Sequence, residues 1–75
     1  MPNDETPAST LELWAAARER AIAELSRKAA TLAENGRSDD AERLGCAARL
    51  LALRAMHERA RAAALRARAE LLAAQ

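Results

Sequence analysis

LAENGRSDDAERL, residues 32–44, is where a chain built almost entirely of Ala, Leu, Arg and Glu downstream of Ser9 changes its vocabulary for five residues, Asn35 to Asp39, and then changes back. Asn35-Gly36 supplies a helix stop: glycine enters the left-handed conformation without a side-chain clash, and asparagine tolerates it best otherwise. Ser38 or Asp39 then offers a cap for a second helix, and Asp39 with Glu42 forms a candidate capping box. Asp39, Asp40 and Glu42 also place negative charge at the positive end of the new helix dipole. Read as a metal-binding cluster, these three carboxylates are explained more simply by that duty. Stop, turn and start fit within about five residues, the length that joins antiparallel neighbours. The expected element is a hairpin turn at residues 36–38.

Towards the N-terminus, Leu11, Ala15, Ile22, Leu25, Ala29 and Leu32 alternate spacings of four and three, interrupted only by Arg18. That is one apolar stripe of a helix over residues 10–35, widened by Trp14 and Ala21. STLE, residues 9–12, reads as its capping box, with Ser9 and Glu12 exchanging hydrogen bonds. Residues 1–8, with Pro2 and Pro7, are expected to form a flexible arm.

Towards the C-terminus a second helix is expected over residues 39–74, with Gly45 its weak point. It carries two apolar seams with heptad spacing. One is Leu44, Ala48, Leu51, Ala55, Ala62, Leu65, Ala69 and Leu72, with Glu58 the single polar intruder. The other is Cys46, Leu50, Leu53, His57, Ala60, Ala64, Ala67, Leu71 and Ala74. The seams lie on nearly opposite sides, so the helix needs cover on two sides and the first helix provides only one. At 1.5 Å per residue the helices are roughly 40 and 54 Å long. With the turn centred on Arg37, Thr10 lies opposite Ala64, and Leu65, Leu71 and Leu72 are expected to overhang.

Seventy-five residues make one domain with a marginal core, helped in small proteins by disulfides, metals or association. Cys46 is the only cysteine and His57 the only histidine, so an internal disulfide is excluded and a structural zinc site is not expected. No run approaches the roughly 18 apolar residues of a membrane span, and the polar start MPNDETPAST does not read as a secretory signal. A cytoplasmic, bacterial protein is the expectation, the unpaired cysteine fitting a reducing compartment.

Cys46 and His57 share a face but stand about 16 Å apart along one helix, too far for a nucleophile and its base. Cys46 is read as a small buried residue. His57 is read as an interface histidine, or as a pH-sensitive element that meets its own copy in a dimer. There is no Gly-rich phosphate loop and no paired acid in an enclosed setting, so neither an enzyme nor a bound cofactor is expected. Between Arg43 and Arg68 seven arginines face Glu58 alone. Arg54, Arg61 and Arg68 recur every seventh residue as a ridge that Arg43 extends: a solvated face, a set of phosphate contacts, or partners for Glu19, Glu24 and Glu34 of a second copy. Trp14, near the open end of the hairpin, is suited to an interface or to core packing.

Residues 32–51, LAENGRSDDAERLGCAARLL, resemble the middle of a tetratricopeptide hairpin over part of one repeat. The whole chain resembles, in length, polar turn and Ala/Leu-rich second helix, the small helical-hairpin co-chaperones of bacterial type III secretion. That resemblance implies that the faces around Leu50, Leu53, Leu65 and Leu71 cover a partner protein. The combined expectation is an all-α antiparallel two-helix hairpin that completes a four-helix bundle by dimerisation or by packing on a helical partner. The partner interface would use Trp14, Cys46, Leu50, Leu53, His57, Leu65, Leu71 and Leu72. The alternative is an RNA- or DNA-binding helical dimer using Arg43, Arg54, Arg61 and Arg68.

Overall fold

In a computed structural model that describes residues 5–75, two antiparallel helices, α1 (Ala8–Glu34) and α2 (Ser38–Ala73), make up all regular structure among the described residues. The chain is an all-α hairpin. Of the arm expected at residues 1–8, residues 1–4 lie outside the described residues and Ala8 already belongs to α1.

The turn closes through backbone bonds. Gly36 takes φ +78°, its N–H donates to the Ala33 carbonyl at 3.1 Å, and the Arg37 N–H donates to the Leu32 carbonyl at 2.8 Å. These are the paired bonds of a Schellman motif, with Gly36 as the left-handed residue. Asn35 stays at φ −89°, so glycine alone carries the left-handed step. The motif ends so tightly that Arg37 occupies the N-cap of α2, its carbonyl accepting from the Ala41 N–H. The caps expected from Ser38 or Asp39 therefore do not form, since α2 has no side-chain cap bond. Asp39 and Asp40 fall inside the first turn, where they oppose the helix dipole, and Asp40 pairs with Arg37 and Arg43. The Ser9–Glu12 capping box is absent for a related reason. Extended Pro7 is the N-cap of α1, its carbonyl accepting from Leu11, so Ser9 is already helical and Glu12 is released for another partner.

The α1 stripe packs on the first seam of α2. Leu11, Ala15, Ala48, Ala55 and Ala62 are buried, and Ile22, Leu25, Leu32, Leu44, Leu51 and Leu65 are half-buried. Alanines at 48, 55 and 62, one per heptad, let the helices approach closely. The two polar interruptions of the stripes meet: Arg18 Nε donates to Glu58 Oε1 at 2.8 Å. Glu58 is 2% exposed, the one buried charged residue among the described residues.

The register differs from a turn-centred count. Arg18 meets Glu58, Arg59 meets Glu19 and Arg66 meets Glu12, so the partner of each α1 residue lies two to four residues further along α2 than that count implies. Side chains lean towards the N-terminus of their own helix. In an antiparallel hairpin those of α1 lean to the open end and those of α2 lean to the turn, and the lean shifts every contact. Leu65 is therefore half-buried near the level of α1's first turn rather than overhanging; Leu71 and Leu72 are exposed beyond it. The hairpin measures 60 × 17 × 13 Å, with a radius of gyration of 16.6 Å against about 11 Å for a compact chain of this length.

Candidate functional site

Helical geometry separates α2 into three surfaces. One is spent on α1. A flank beside it carries two ion pairs a heptad apart. Arg59 grips Glu19 through Nε at 2.9 Å and Nη2 at 2.6 Å. Arg66 grips Glu12 in the same way, its Nε at 3.0 Å. Hydrogen bonds from Arg66 and Arg59 hold the Glu12 and Glu19 carboxyls below the ordinary value of 4.5, and the arginines rise in return. These fork-like pairs staple the open half of the hairpin. They also remove Arg59 and Arg66 from the pool available to any ligand, and Glu19 from the acids a second copy could offer.

The third surface faces away from α1 and is the second seam. Leu50, Leu53 and Leu71 are 64%, 62% and 69% exposed, and His57, Ala60, Ala64 and Ala67 are exposed with them. Leu50, Leu53 and His57 lie on successive turns; Leu71 follows about 21 Å further along, with the alanines between. Nothing among the described residues covers this row. Cys46 belongs to it, so its expected burial is not met within the chain: it is exposed, and its Sγ accepts from Arg49 Nη2 at 3.1 Å. A small residue between helical neighbours is buried only where a neighbour exists, and here none does.

The other candidates fall elsewhere. Trp14, 37% exposed, lines a groove of about 290 Å³ between the helices with Ala17, Arg18, Ala21 and Leu51. It is not on the outer face of α2. Leu65 packs towards α1, and Leu72 continues the first seam into the overhang. Of the ridge, Arg43 is 3.5 Å from Asp40 and Arg61 is half-buried, while Arg54 and Arg68 stand exposed beside the leucine row. Two exposed apolar side chains, Met56 and Leu13, were not signalled by either seam. Met56 borders the outer row one position before His57, where a heptad reading places a flank rather than a seam. Leu13 lies on the outer face of α1, and no pattern marks it.

Among the described residues no group of three or more His, Cys, Asp or Glu could hold a metal ion, and no helix is long and apolar enough to cross a membrane. No protein-family model matches this chain, and no curated protein or solved structure matches it either. The geometry of the α2 face alone carries the functional reading.

Proposed function

We propose that this chain is a non-enzymatic protein–protein interaction module, an adaptor, co-chaperone or small regulator, that seats a helical chain on the outer face of α2. The observation that carries the reading is the row Leu50, Leu53, Leu71 with the alanines between, exposed along the side of α2 opposite α1. Its heptad spacing matches what a second helix needs for knobs-into-holes packing. The accessible surface gives independent support. The chain exposes 5670 Å², whereas a compact monomer of 8.1 kDa exposes about 4,500 Å². The excess on this one chain, about 1,200 Å², is more than the roughly 800 Å² that a standard interface removes from each partner. A homodimer with four helices is one assembly of this kind, and a hairpin on a foreign helix is another.

A nucleic-acid role has less to stand on. Of the seven arginines in the second helix's basic stretch, Arg59 and Arg66 serve the hairpin itself, and the only aromatic residue, Trp14, lies away from the ridge. The test combines sedimentation equilibrium at two salt concentrations with binding of synthetic helical peptides that carry a leucine seam. Self-assembly or peptide uptake is expected, and Leu50→Asp or Leu71→Asp should remove it, because an unpaired charge would be buried on association. Both side chains are exposed in the hairpin, so the variants keep their fold. A monomer that takes up no peptide, or an assembly that both variants leave intact, would overturn the reading.

A further inference from the structure

We infer that the occupant of the α2 outer face is an amphipathic helix of another protein whose apolar seam is flanked by carboxylates. The inference rests on the interaction-module reading and names the chemistry of its partner.

The row has two flanks. One position after Leu53, Ala60 and Ala67 come Arg54, Arg61 and Arg68. One position before Leu50, His57, Ala64 and Leu71 come Arg49, Met56, Ala63 and Glu70. The first flank is wholly cationic and the second nearly neutral. Five of the hairpin's acids are committed elsewhere: Glu58 to Arg18, Glu19 to Arg59, Glu12 to Arg66, Asp40 to Arg37 and Arg43, Glu24 to Lys28. Arg54 and Arg68 have no ion-pair partner among the described residues.

A second copy fits this face poorly. In a parallel pairing each flank meets the opposite flank of the mate, which sets Arg54 against Arg49 of the second copy, twice by symmetry. In an antiparallel pairing like flanks meet, and Arg54 faces Arg68 or Arg61 of the second copy, again twice. Relief comes only from Glu42 and Glu70 on the other flank, and in neither pairing do they come opposite Arg54, Arg61 or Arg68. The outer face of α1 is no better, with Arg20, Arg27 and Lys28 against Glu24 and Glu34. Like charges placed directly across an interface select against a partner. Nucleic acid would meet the arginines but leave the leucines uncovered. A helix with a leucine seam and Glu or Asp flanks answers both, and Ala60, Ala64 and Ala67 leave holes for its larger side chains. Because the face is opposite α1, that helix touches α2 alone, making a layer of three. To run from Leu50 to Leu71 it must extend about 32 Å.

The test uses the full chain and three synthetic peptides of about four heptads, with one leucine seam and Glu, Gln or Lys on both flanks. Binding is read by fluorescence anisotropy at low and moderate salt. The Glu-flanked peptide should bind about tenfold more tightly than the Gln-flanked one, each rim ion pair contributing a factor of about two to five, and the Lys-flanked one should bind most weakly. Salt should narrow the differences, and Arg54→Glu with Arg68→Glu should invert the order. Equal binding of all three, abolished by Leu50→Asp, would overturn the acidic partner and leave the interaction module standing. So would the absence of peptide binding by a chain that forms a dimer dissolved by Leu50→Asp. A monomer that binds no peptide, or one that binds only single-stranded RNA or duplex DNA through Arg54 and Arg68, would overturn both.

Discussion

Replacing Arg18 and Glu58 with leucine, singly and together, tests the charge pair that lies within the packed seam of the hairpin. Arg18 Nε lies 2.8 Å from Glu58 Oε1, and the side chains are 29% and 3% exposed. Breaking a fully buried pair from one side costs about 3–5 kcal/mol, and a hydrogen bond to a charged group contributes about 1.5–3 kcal/mol. Arg18 keeps a route to water, so the lower end applies. Arg18→Leu strands a carboxylate in the seam and should cost about 3 kcal/mol. Glu58→Leu should cost about 1 kcal/mol or less, because the guanidinium can swing outward while the new leucine extends the seam. The double variant completes both stripes and should match the native chain or exceed it by up to about 2 kcal/mol. The pair would then show a coupling of about 3–6 kcal/mol. Urea unfolding followed by circular dichroism, at one protein concentration, measures all four corners. For a domain of this size, Arg18→Leu should lower Tm by roughly 12–24 °C. Additive single effects, within about 0.5 kcal/mol, or a greater cost for Glu58→Leu than for Arg18→Leu, would refute the reasoning.

The two glycines should respond to alanine with opposite signs. Gly36→Ala meets no neighbour but forces a side chain into φ +78°, costing about 1–2 kcal/mol. Gly45→Ala, inside α2 with only the far end of Arg49 3.6 Å away, should add about 0.5–1 kcal/mol; unfolding midpoints check both. Acid should loosen the open end of the hairpin. Glu12 and Glu19 are depressed on folding, so their contribution is full above the unfolded carboxylate value and is lost as pH falls through the folded one. Stability should decline as pH falls through and below the ordinary carboxylate value of 4.5, and Glu12→Gln with Glu19→Gln should flatten that decline in a pH-dependent melt.

The turn was readable because its rule is local: a Gly after Asn between two helical patterns leaves the backbone little else to do, and Gly36 does it. The two seams of α2 were readable because heptad spacing fixes which residues share a face whatever lies opposite. Features that depend on one helix finding its place on the other were not. The caps failed because the Schellman turn is shorter than the capping pattern assumes, which moved Ser38 and Asp39 inside α2. The overhang was misjudged at Leu65 because register follows where side chains meet, and their opposite lean displaces that from the backbone midpoint. Arg18 and Glu58 were each visible as an interruption, but their meeting follows only from the shifted register. The seven arginines of the basic stretch looked alike, yet Arg59 and Arg66 have carboxylates opposite them on α1 and Arg54 and Arg68 do not. Within the candidate interface, Leu50, Leu53, His57 and Leu71 share one face as their spacing requires, whereas Trp14 lies on a different helix and its place depended on how the two helices pack.

That sorting of arginines links the stability of the hairpin to what it can recognise. A net charge of +1 suggests a surface with no preference, but the charges are not mixed evenly. Glu12, Glu19 and Glu58 are drawn to the contact between the helices, where they hold it together. The outer face of α2 is then left with cations beside leucines. Moving one of these acids to the outer flank of α2 would weaken the hairpin and, in the same step, give Arg54 or Arg68 an internal competitor for any carboxylate from outside. The pairs that close the fold thus leave Arg54 and Arg68 beside the leucine row with no carboxylate of α1 against them, which is the chemistry that the proposed acidic helix would meet.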